Sequence, residues 1–240
     1  MAREKTALLR VEGLVKRFGG FRALDRLSFQ LARGEALGLV GPNGSGKTTC
    51  INVITGVYRP DGGTVLFEDR SANGLAPHLL ARRGINRTFQ SPRPFASLTV
   101  RENLEVAAAH GGPDGPRSDL QALLAWLDLD AVGERLAAHL TSAQQKMLDL
   151  GRALATAPKL LLVDELAAGL TPAELERVAR RLRSLVEQGV ALLVVEHLLG
   201  FLDRLADRVI VMNAGREIFQ GTLKAAARDP LVREVFLGRA

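Results

Sequence analysis

The chain has 240 residues, 47% of them hydrophobic and 24% charged, which is the balance of an ordinary soluble globular protein. No apolar run approaches the ~18 residues of a membrane span, and a single cysteine excludes an internal disulfide and favours a reducing compartment, so we expect a cytoplasmic protein. The net charge of +6 permits an anionic partner, but aromatic residues make up only 5% of the chain, too few for base stacking, so no nucleic-acid partner is expected.

The chain up to about residue 90 shows mostly strand patterns. Alternating or continuous apolar residues predict four strands, at residues 8–13, 27–31, 36–40 and 64–68. One helix is expected in this part, over residues 48–54. Turn signals lie at Phe18-Gly19-Gly20 and at Pro60-Asp61-Gly62-Gly63.

A change of pattern at about residue 91 indicates a helical insertion that ends near residue 154. Apolar residues at helical spacing predict helices over residues 99–109, 119–129 and 144–155. A stretch rich in glycine and proline, residues 110–116, separates the first two as a loop.

Strands and helices alternate in the rest of the chain. We expect strands at residues 160–163, 190–195 and 209–212, helices at 172–187 and 199–206, and an amphipathic helical tail at 222–240. Buried apolar strands that alternate with helices favour a parallel sheet covered on both faces. The sequence therefore predicts one compact α/β unit with a helical lobe.

A phosphate-binding loop follows the strand at residues 36–40. The segment fits Gly-x-x-x-x-Gly-Lys-Ser/Thr at every position, as Gly41, Pro42, Asn43, Gly44, Ser45, Gly46, Lys47 and Thr48. Such glycines let backbone N–H groups and a helix N-terminus point at an anion. We expect Lys47 to reach the β- and γ-phosphates of a nucleotide and Thr48 to ligate Mg²⁺, with Thr49 beside them. The alternative, a glycine-rich surface turn, is disfavoured by the strand and helix that flank the segment.

Polar candidates also follow the later strands, where ligands bind in open α/β sheets. Asp164 would hold Mg²⁺, directly or through water, and Glu165 would orient or deprotonate an attacking water. The alternative is a pair of solvated acids at the start of a loop. His197 either donates to a γ-phosphate or is a structural histidine at a helix start, and the residues alone leave both open.

These motifs and several further segments make the chain resemble an ATP-binding-cassette nucleotide-binding subunit, most specifically the ATPase of bacterial branched-chain (hydrophobic) amino acid importers. The further segments are residues 18–24, 87–90, 98–104, 164–170, 195–197, 213–215, 221–222 and 236–238. The resemblance implies a P-loop NTPase fold with a RecA-like parallel sheet core and an antiparallel β subdomain. It also implies one domain over residues 1–240, with a helical subdomain inserted at 91–154 and a tail at 222–240.

The resemblance further implies roles for single residues and for partners. Phe18 matches an aromatic residue that stacks on adenine, Gln90 matches a glutamine that senses Mg²⁺, and His197 matches a histidine that contacts the γ-phosphate. Gln90 is therefore a candidate both for binding the metal and for catalysis. ATP and Mg²⁺ are the implied cofactors. Two ATPase subunits, identical or different, would close face to face beneath membrane subunits, at the inner face of the cell membrane, and hydrolysis would drive import.

The sequence departs from the family in the signature peptide, whose usual form is Leu-Ser-Gly-Gly-Gln. Here the segment reads Leu140, Thr141, Ser142, Ala143 and Gln144, and its last four residues would contact the partner's nucleotide. Thr141 keeps a hydroxyl that can cap the following helix. Ala143 replaces a glycine and costs about 1 kcal/mol if the position needs a positive φ. Leu166 replaces the usual proline, and Thr171 replaces an aspartate or asparagine.

Two alternatives for the function follow from these observations. The departures suggest an ATP-binding switch with weak hydrolysis, although retention of Glu165 and His197 argues against it. The related ATPase of lipopolysaccharide export is the second alternative.

Two arginine clusters also need an explanation. The resemblance implies that Arg82, Arg83, Arg87 and Arg93 lie where members of the family face the membrane subunit, and we expect Arg177, Arg180, Arg181 and Arg183 to form a solvated helix face.

Overall fold

A computed structural model describes residues 7–111 and 119–237 of the chain. The strands are β1 (Ala7–Phe18), β2 (Phe21–Ala32), β3 (Ala36–Val40), β4 (Gly62–Phe67), β5 (Arg70–Ser71), β6 (Ile85–Arg87), β7 (Leu160–Asp164), β8 (Ala191–Val195), β9 (Arg208–Asn213) and β10 (Arg216–Gly221). The helices are α1 (Lys47–Ile54), α2 (Pro77–Arg83), α3 (Val100–Ala109), α4 (Leu120–Trp126), α5 (Ser142–Ala155), α6 (Pro172–Glu187), α7 (Leu199–Leu205), α8 (Leu223–Ala226) and α9 (Pro230–Leu237). Two short 3₁₀ turns lie at Asp130–Val132 and Ala137–His139.

A six-stranded sheet, in the order β10-β9-β3-β8-β7-β6, forms the centre of the molecule. Strands β6, β7, β8, β3 and β9 run parallel, and β10 pairs antiparallel at the edge. All residues of β3, β7 and β8 are buried, as their continuous apolar runs predict. Because these three strands are neighbours and point the same way, the residues after them meet at one edge of the sheet.

A second, antiparallel sheet has the order β2-β1-β4-β5. Strands β1 and β2 pair from Ala7 opposite Ala32 to Phe18 opposite Phe21, so both are longer than the strands predicted at residues 8–13 and 27–31. The prediction was too short because the register shifts between Val11 and Leu14 and again beyond it, which breaks the strict alternation of apolar residues.

The described residues between β6 and β7 contain α3, α4 and α5, so the predicted helices are confirmed in type and approximate position. The second helix is shorter than predicted, because Asp128 has a left-handed φ of 58° that ends the helical path after α4. Of the predicted loop at residues 110–116, residues 112–116 lie outside the described residues. The division of the chain into a core and an inserted helical subdomain at 91–154 stays a prediction.

Several elements were not expected. A second helix, α2, precedes residue 90; it begins at Pro77, ends at Arg83 and buries only Leu80, too little apolar surface for a periodic pattern. Strands β5, β6 and β10 were not expected either. The tail predicted as helical at 222–240 contains two short helices, α8 and α9, in its described part, with Pro230 at the start of the second. Residues 238–240 lie outside the described part.

The buried apolar residues form two clusters, one on each face of the central sheet. One cluster packs α3 to α9 against the sheet, and the other joins α1 and the antiparallel sheet to the opposite face. Cys50 lies fully buried in the second cluster, where burial raises the pKa of its thiol to about 12, so it is a packing residue. None of the helices in the described ranges has the length and apolar character needed to cross a membrane.

Candidate active site

The loop at residues 41–47 is shaped by glycines that no other residue could replace. Gly41 has φ of 155° and Gly46 has φ of 106°. A Cβ atom at Gly41 would lie 2.3 Å from the carbonyl oxygen of Met212, and one at Gly46 would lie 2.5 Å from that of Ala23. The neighbouring backbone therefore leaves no room for a side chain at either glycine, in agreement with the tight turn predicted from the sequence.

Lys47 lies inside this loop, with only 6% of its surface exposed. Its Nζ donates hydrogen bonds to the carbonyl oxygens of Gly41 at 2.7 Å and Pro42 at 3.0 Å. Burial lowers the pKa of Lys47, and the nearby Glu165 and Asp164 oppose this shift. Beside it, the buried Ser45 Oγ finds no hydrogen-bond partner among the described residues, which leaves it available to a ligand.

The remaining residues predicted for this loop differ in exposure. Asn43, Gly44 and Thr48 are exposed, whereas Pro42 and Thr49 are half-buried. The exposed Thr48 begins the first turn of α1, so its hydroxyl is accessible to a ligand in the loop. The loop thus offers backbone N–H groups, one ammonium and several hydroxyls to an anion, which is the chemistry of a phosphate site.

Asp164 ends β7 and is only 4% exposed, so it is a buried acid. The alternative interpretation of Asp164 as a solvated acid at the start of a loop is therefore excluded. Arg87 Nη2 donates to Asp164 Oδ2 at 2.9 Å, and the backbone N–H of Asp164 donates to Thr88 Oγ1 at 3.1 Å. Burial raises the pKa of Asp164, and the positive charge of Arg87 opposes that rise. This carboxylate is the oxygen donor that a divalent cation would need at the sheet edge.

Three of the predicted residues meet at the carboxylate of Glu165. Gln90 Nε2 donates to Glu165 Oε2 at 2.5 Å, and His197 Nε2 lies 3.1 Å from Oε1. The side chain of Glu165 is 24% exposed and that of His197 is 47% exposed, so the group opens to solvent. Glu165 also has a left-handed φ of 49°, which is uncommon for a residue other than glycine.

Two buried charged residues that the sequence analysis did not single out hold the backbone after Glu165. Lys146 Nζ donates to the carbonyl oxygens of Glu165 and Leu166, each at 3.3 Å, and also to that of Ala168. Glu196 Oε1 accepts from the backbone N–H of Ala167 at 2.7 Å. Burial raises the pKa of Glu196 and lowers that of Lys146. The only feature of the sequence that could have pointed to either residue is that Glu196 directly precedes His197.

Phe18 lies at the turn between β1 and β2, with 43% of its surface exposed. Its ring packs edge-on against Tyr58, with centroids 5.2 Å apart and an interplanar angle of 76°. Lys16 Nζ lies 5.5 Å from the ring centroid of Phe18. No hydrogen bond or ring contact joins Phe18 to residues 41–49 in the described part of the chain, and the exposed part of its ring is the surface that a flat ligand would contact.

The segment predicted as the signature peptide forms the start of α5. Thr141 caps the helix: its Oγ1 accepts from the Gln144 N–H at 3.2 Å, and Gln144 Oε1 accepts from the Thr141 N–H at 3.0 Å. Ser142 is exposed and Ala143 is half-buried in the first helical turn. Ala143 is not among the described residues with positive φ, so the strain considered for it does not arise, and only the bulk of its methyl group remains.

The two arginine clusters match the expectations in part. Arg82, Arg83 and Arg93 are exposed, whereas the side chain of Arg87 is only 10% exposed and pairs with Asp164; a docking role for this cluster stays a prediction. On α6, Arg177 and Arg181 pair with Asp128, and Arg183 pairs with Asp207, so this helix face is held by ion pairs to other elements. Spacing along a helix could not reveal those partners, because they come from distant parts of the chain.

Comparisons with known proteins show what the chain is similar to. The family model described as "ABC transporter" matches residues 24–168. The probable branched-chain amino acid transport ATP-binding protein LivG of Methanocaldococcus jannaschii is 35% identical over 98% of this chain and 99% of its own length. The high-affinity branched-chain amino acid transport ATP-binding protein LivG of Escherichia coli K12 is 36% identical over 97% and 98%.

Solved structures with similar folds include a nucleotide-free ATP-binding cassette from an ABC transporter. It has a TM-score of 0.87 and 34% identity, and the match covers 98% of this chain and 100% of that one. An ATP-binding cassette in its ADP conformation has a TM-score of 0.86, with the same identity and coverage. The fold implied by the sequence resemblance is therefore confirmed.

Proposed function

Because the chain belongs to the ABC transporter family, and is therefore an ATPase that works with the membrane subunits of a transporter, we propose that it energises the import of branched-chain or other hydrophobic amino acids. Two relatives that carry this function in their names, one archaeal and one bacterial, align with it over nearly their full lengths. The importer is therefore the assignment that these named relatives support.

The observation that carries the ATPase chemistry is the meeting of Gln90 and His197 at Glu165, beside Asp164. We assign Glu165 as the group that orients or deprotonates the attacking water, since it is the carboxylate with the greatest access to solvent at this edge. His197 and Gln90 hold this carboxylate in place, and we propose that His197 also donates to the γ-phosphate. Lys47 would exchange its two backbone carbonyl acceptors for phosphate oxygens.

The residues present fit ATP with Mg²⁺. The glycine-lined loop and the unpaired Ser45 Oγ suit the phosphates. Thr48 and Asp164 would supply oxygen ligands to Mg²⁺, with Gln90 as a further ligand, and phosphate oxygens and water would complete the set. When bound, Mg²⁺ neutralises charge that develops on the phosphates. The exposed ring of Phe18 would stack on adenine.

We further propose that the working unit contains two ATPase subunits, identical or different, at the inner face of the cell membrane. The residues from Thr141 to Gln144 contact each other through the cap of α5, and no hydrogen bond or ion pair joins them to residues 41–49 in the described ranges. Their hydroxyls and backbone N–H groups at a helix N-terminus suit the phosphates of a partner subunit. Nucleic acid is not an expected partner.

The alternative of an ATP-binding switch with weak hydrolysis rests on Ala143 in the signature. The intact contacts of Glu165 with Gln90 and His197 oppose it, because a switch without turnover would not need an oriented base. The two functions predict different effects of Glu165→Gln on transport: the variant should not restore uptake if hydrolysis drives import, and it should restore uptake if the chain is a switch.

The test is uptake of labelled leucine, isoleucine and valine by cells that lack this chain. We expect uptake to fall, to recover with the wild-type chain and to stay low with Glu165→Gln. Uptake of an unrelated sugar serves as the control. Unchanged uptake of all three amino acids would contradict the importer assignment, and full recovery with Glu165→Gln would support the switch.

A further inference from the structure

Arg87, at the end of β6, has a guanidinium group that is bonded through all three of its nitrogen atoms. Nη2 donates to Asp164 Oδ2 at 2.9 Å, Nη1 donates to Asn52 Oδ1 at 2.6 Å, and Nε donates to the carbonyl oxygen of Thr88 at 3.2 Å. The side chain of Arg87 is only 10% exposed. Because so many contacts hold this nearly buried charge, the guanidinium group has a single orientation.

These contacts connect the parts of the proposed site that are separate in sequence. Asn52 belongs to α1, the helix that begins in the phosphate loop, and Asp164 ends β7. The guanidinium carbon of Arg87 lies 4.7 Å from the ring centroid of Phe89, the residue before Gln90. The backbone N–H of Phe89 in turn donates to Asp149 Oδ2 on α5 at 2.7 Å. Arg87 is therefore the common neighbour of the phosphate-loop helix, the acid at the sheet edge and the Gln90 segment.

Only one oxygen of Asp164 is engaged by Arg87. Oδ2 accepts the guanidinium, while Oδ1 accepts no hydrogen bond within residues 7–111 and 119–237. Because the two oxygens belong to one rigid plane, a fixed Oδ2 also fixes the direction of Oδ1. Carboxylates that bind metals are commonly held in this way by a second hydrogen-bonded group.

A different role for Arg87 would be that of a competitor, a cation that occupies Asp164 until Mg²⁺ replaces it. Displacement would require breaking the bonds to Asn52 and Thr88 as well as the contact with the Phe89 ring. A guanidinium with so little exposure would also have to find another partner for its charge. The contacts therefore favour a fixed support over a competitor.

We propose that Arg87 is a positioning residue for the Mg²⁺ that accompanies ATP: it orients the Asp164 carboxylate towards the metal and ties that orientation to α1 and to the Gln90 segment. This inference rests on the Mg²⁺ site proposed above. It concerns a residue outside the phosphate loop and outside the predicted catalytic set.

The test measures how strongly Mg²⁺ tightens nucleotide binding. The dissociation constant of a non-hydrolysable ATP analogue is determined by calorimetry in EDTA and in saturating Mg²⁺, and the ratio of the two constants reports the coupling between metal and nucleotide. We expect this ratio to fall roughly tenfold in Arg87→Met, with little change in the EDTA value. Arg87→Lys should not restore it, because an ammonium cannot bond Asp164 and Asn52 in the same fixed geometry.

Arg181→Met is the matched control. Arg181 also pairs with an acid, Asp128, at 2.7 and 3.0 Å, and its guanidinium carbon lies 5.6 Å from the Trp126 ring centroid. This substitution should lower thermal stability without changing the ratio. If Arg87→Met does not fold, Asn52→Ala removes one of the three anchors and should lower the ratio roughly threefold.

The outcomes separate this inference from the proposed Mg²⁺ site. A wild-type ratio close to one would overturn the Mg²⁺ site and the role of Arg87 with it. A high wild-type ratio that is unchanged in the foldable Arg87 and Asn52 variants would overturn the role of Arg87 alone. A ratio that rises in Arg87→Met would identify Arg87 as a competitor for Asp164 and would also contradict the proposal.

Discussion

The edge of the central sheet and the start of α5 are built in opposite ways. At the sheet edge, Lys47, Asp164 and Glu165 are each held by side chains or backbone from other parts of the same chain. At the start of α5, the side chains of Thr141 and Gln144 accept hydrogen bonds only from each other's backbone N–H groups among the described residues, and Thr141 is exposed. The first region is organised by contacts between distant parts of the chain, whereas these two side chains make no hydrogen bond to any other described element. The difference supports the proposal that a protomer carries its own hydrolytic groups but needs a second subunit to use its signature segment.

The largest expected effect is that of Lys47→Ala, which removes the buried cation from the phosphate loop. The variant would lose two charged hydrogen bonds from the ammonium group to phosphate oxygens, each worth about 1.5–3 kcal/mol. ATP affinity should therefore fall roughly 100-fold or more, and hydrolysis should disappear. Calorimetry with ATP measures the affinity. Lys224→Ala, on the exposed face of α8, is the control. Affinity within twofold of wild type would mean that the loop does not bind the phosphates.

The substitution His197→Ala should separate binding from turnover at the sheet edge. Loss of the group beside Glu165 should lower the hydrolysis rate roughly 100-fold, since a positioned acid–base group contributes about that much or more. ATP affinity should change little, because Lys47 and the loop remain. His78→Ala, an exposed histidine on α2, is the control for steady-state assays. A large loss of affinity with an unchanged rate would assign His197 to binding alone.

Phe18→Ala tests the part of the site that makes no contact with phosphate. Stacking of a base on an aromatic ring is worth about 1–3 kcal/mol, so ATP should bind roughly tenfold more weakly. Binding of inorganic triphosphate should not change, because it has no ring to stack. Phe21→Ala removes the exposed phenylalanine that pairs with Phe18 across the hairpin, and it serves as the control. Equal weakening of ATP and triphosphate would rule out stacking.

The smallest effect is expected for Ala143→Gly, which restores the family residue at the start of α5. Removing the methyl group should raise turnover a few-fold at high protein concentration, since about 1 kcal/mol corresponds to roughly fivefold. The helix should lose up to ~1 kcal/mol of stability. Ala173→Gly occupies the same position after the Thr171 cap of α6, so it should cost similar stability without changing turnover. Equal turnover in both variants would show that the methyl group is not an obstacle.

The fold was predictable wherever apolar periodicity was strong. The continuous runs of β3, β7 and β8 and the amphipathic pattern of α6 place these elements within a residue or two of their observed bounds. Helix α2 and strands β5, β6 and β10 were missed because they are short or bury few residues and so leave no periodic pattern. Local propensity cannot identify elements that are set mainly by contacts with neighbours.

The residues of the candidate site were predictable where they lie in a compact motif or follow a buried strand. Residues 41–48, Asp164 and Glu165 needed only the local sequence. The meeting of Gln90 and His197 at Glu165 depends on strand order, which the sequence does not contain. The same limit explains why Arg87 was expected at the surface and why the buried pair of Lys146 and Glu196 was overlooked. Those residues are defined by partners dozens of positions away.

The most direct measurement is steady-state ATP hydrolysis by the purified chain over a wide range of protein concentrations, with Glu165→Gln as the blank. Turnover per protomer should rise with concentration, because each site needs a second subunit, and it should vanish in the variant, because the positioned carboxylate is lost. A wild-type rate no higher than that of Glu165→Gln at every concentration would contradict the claim that this chain carries a working hydrolytic site.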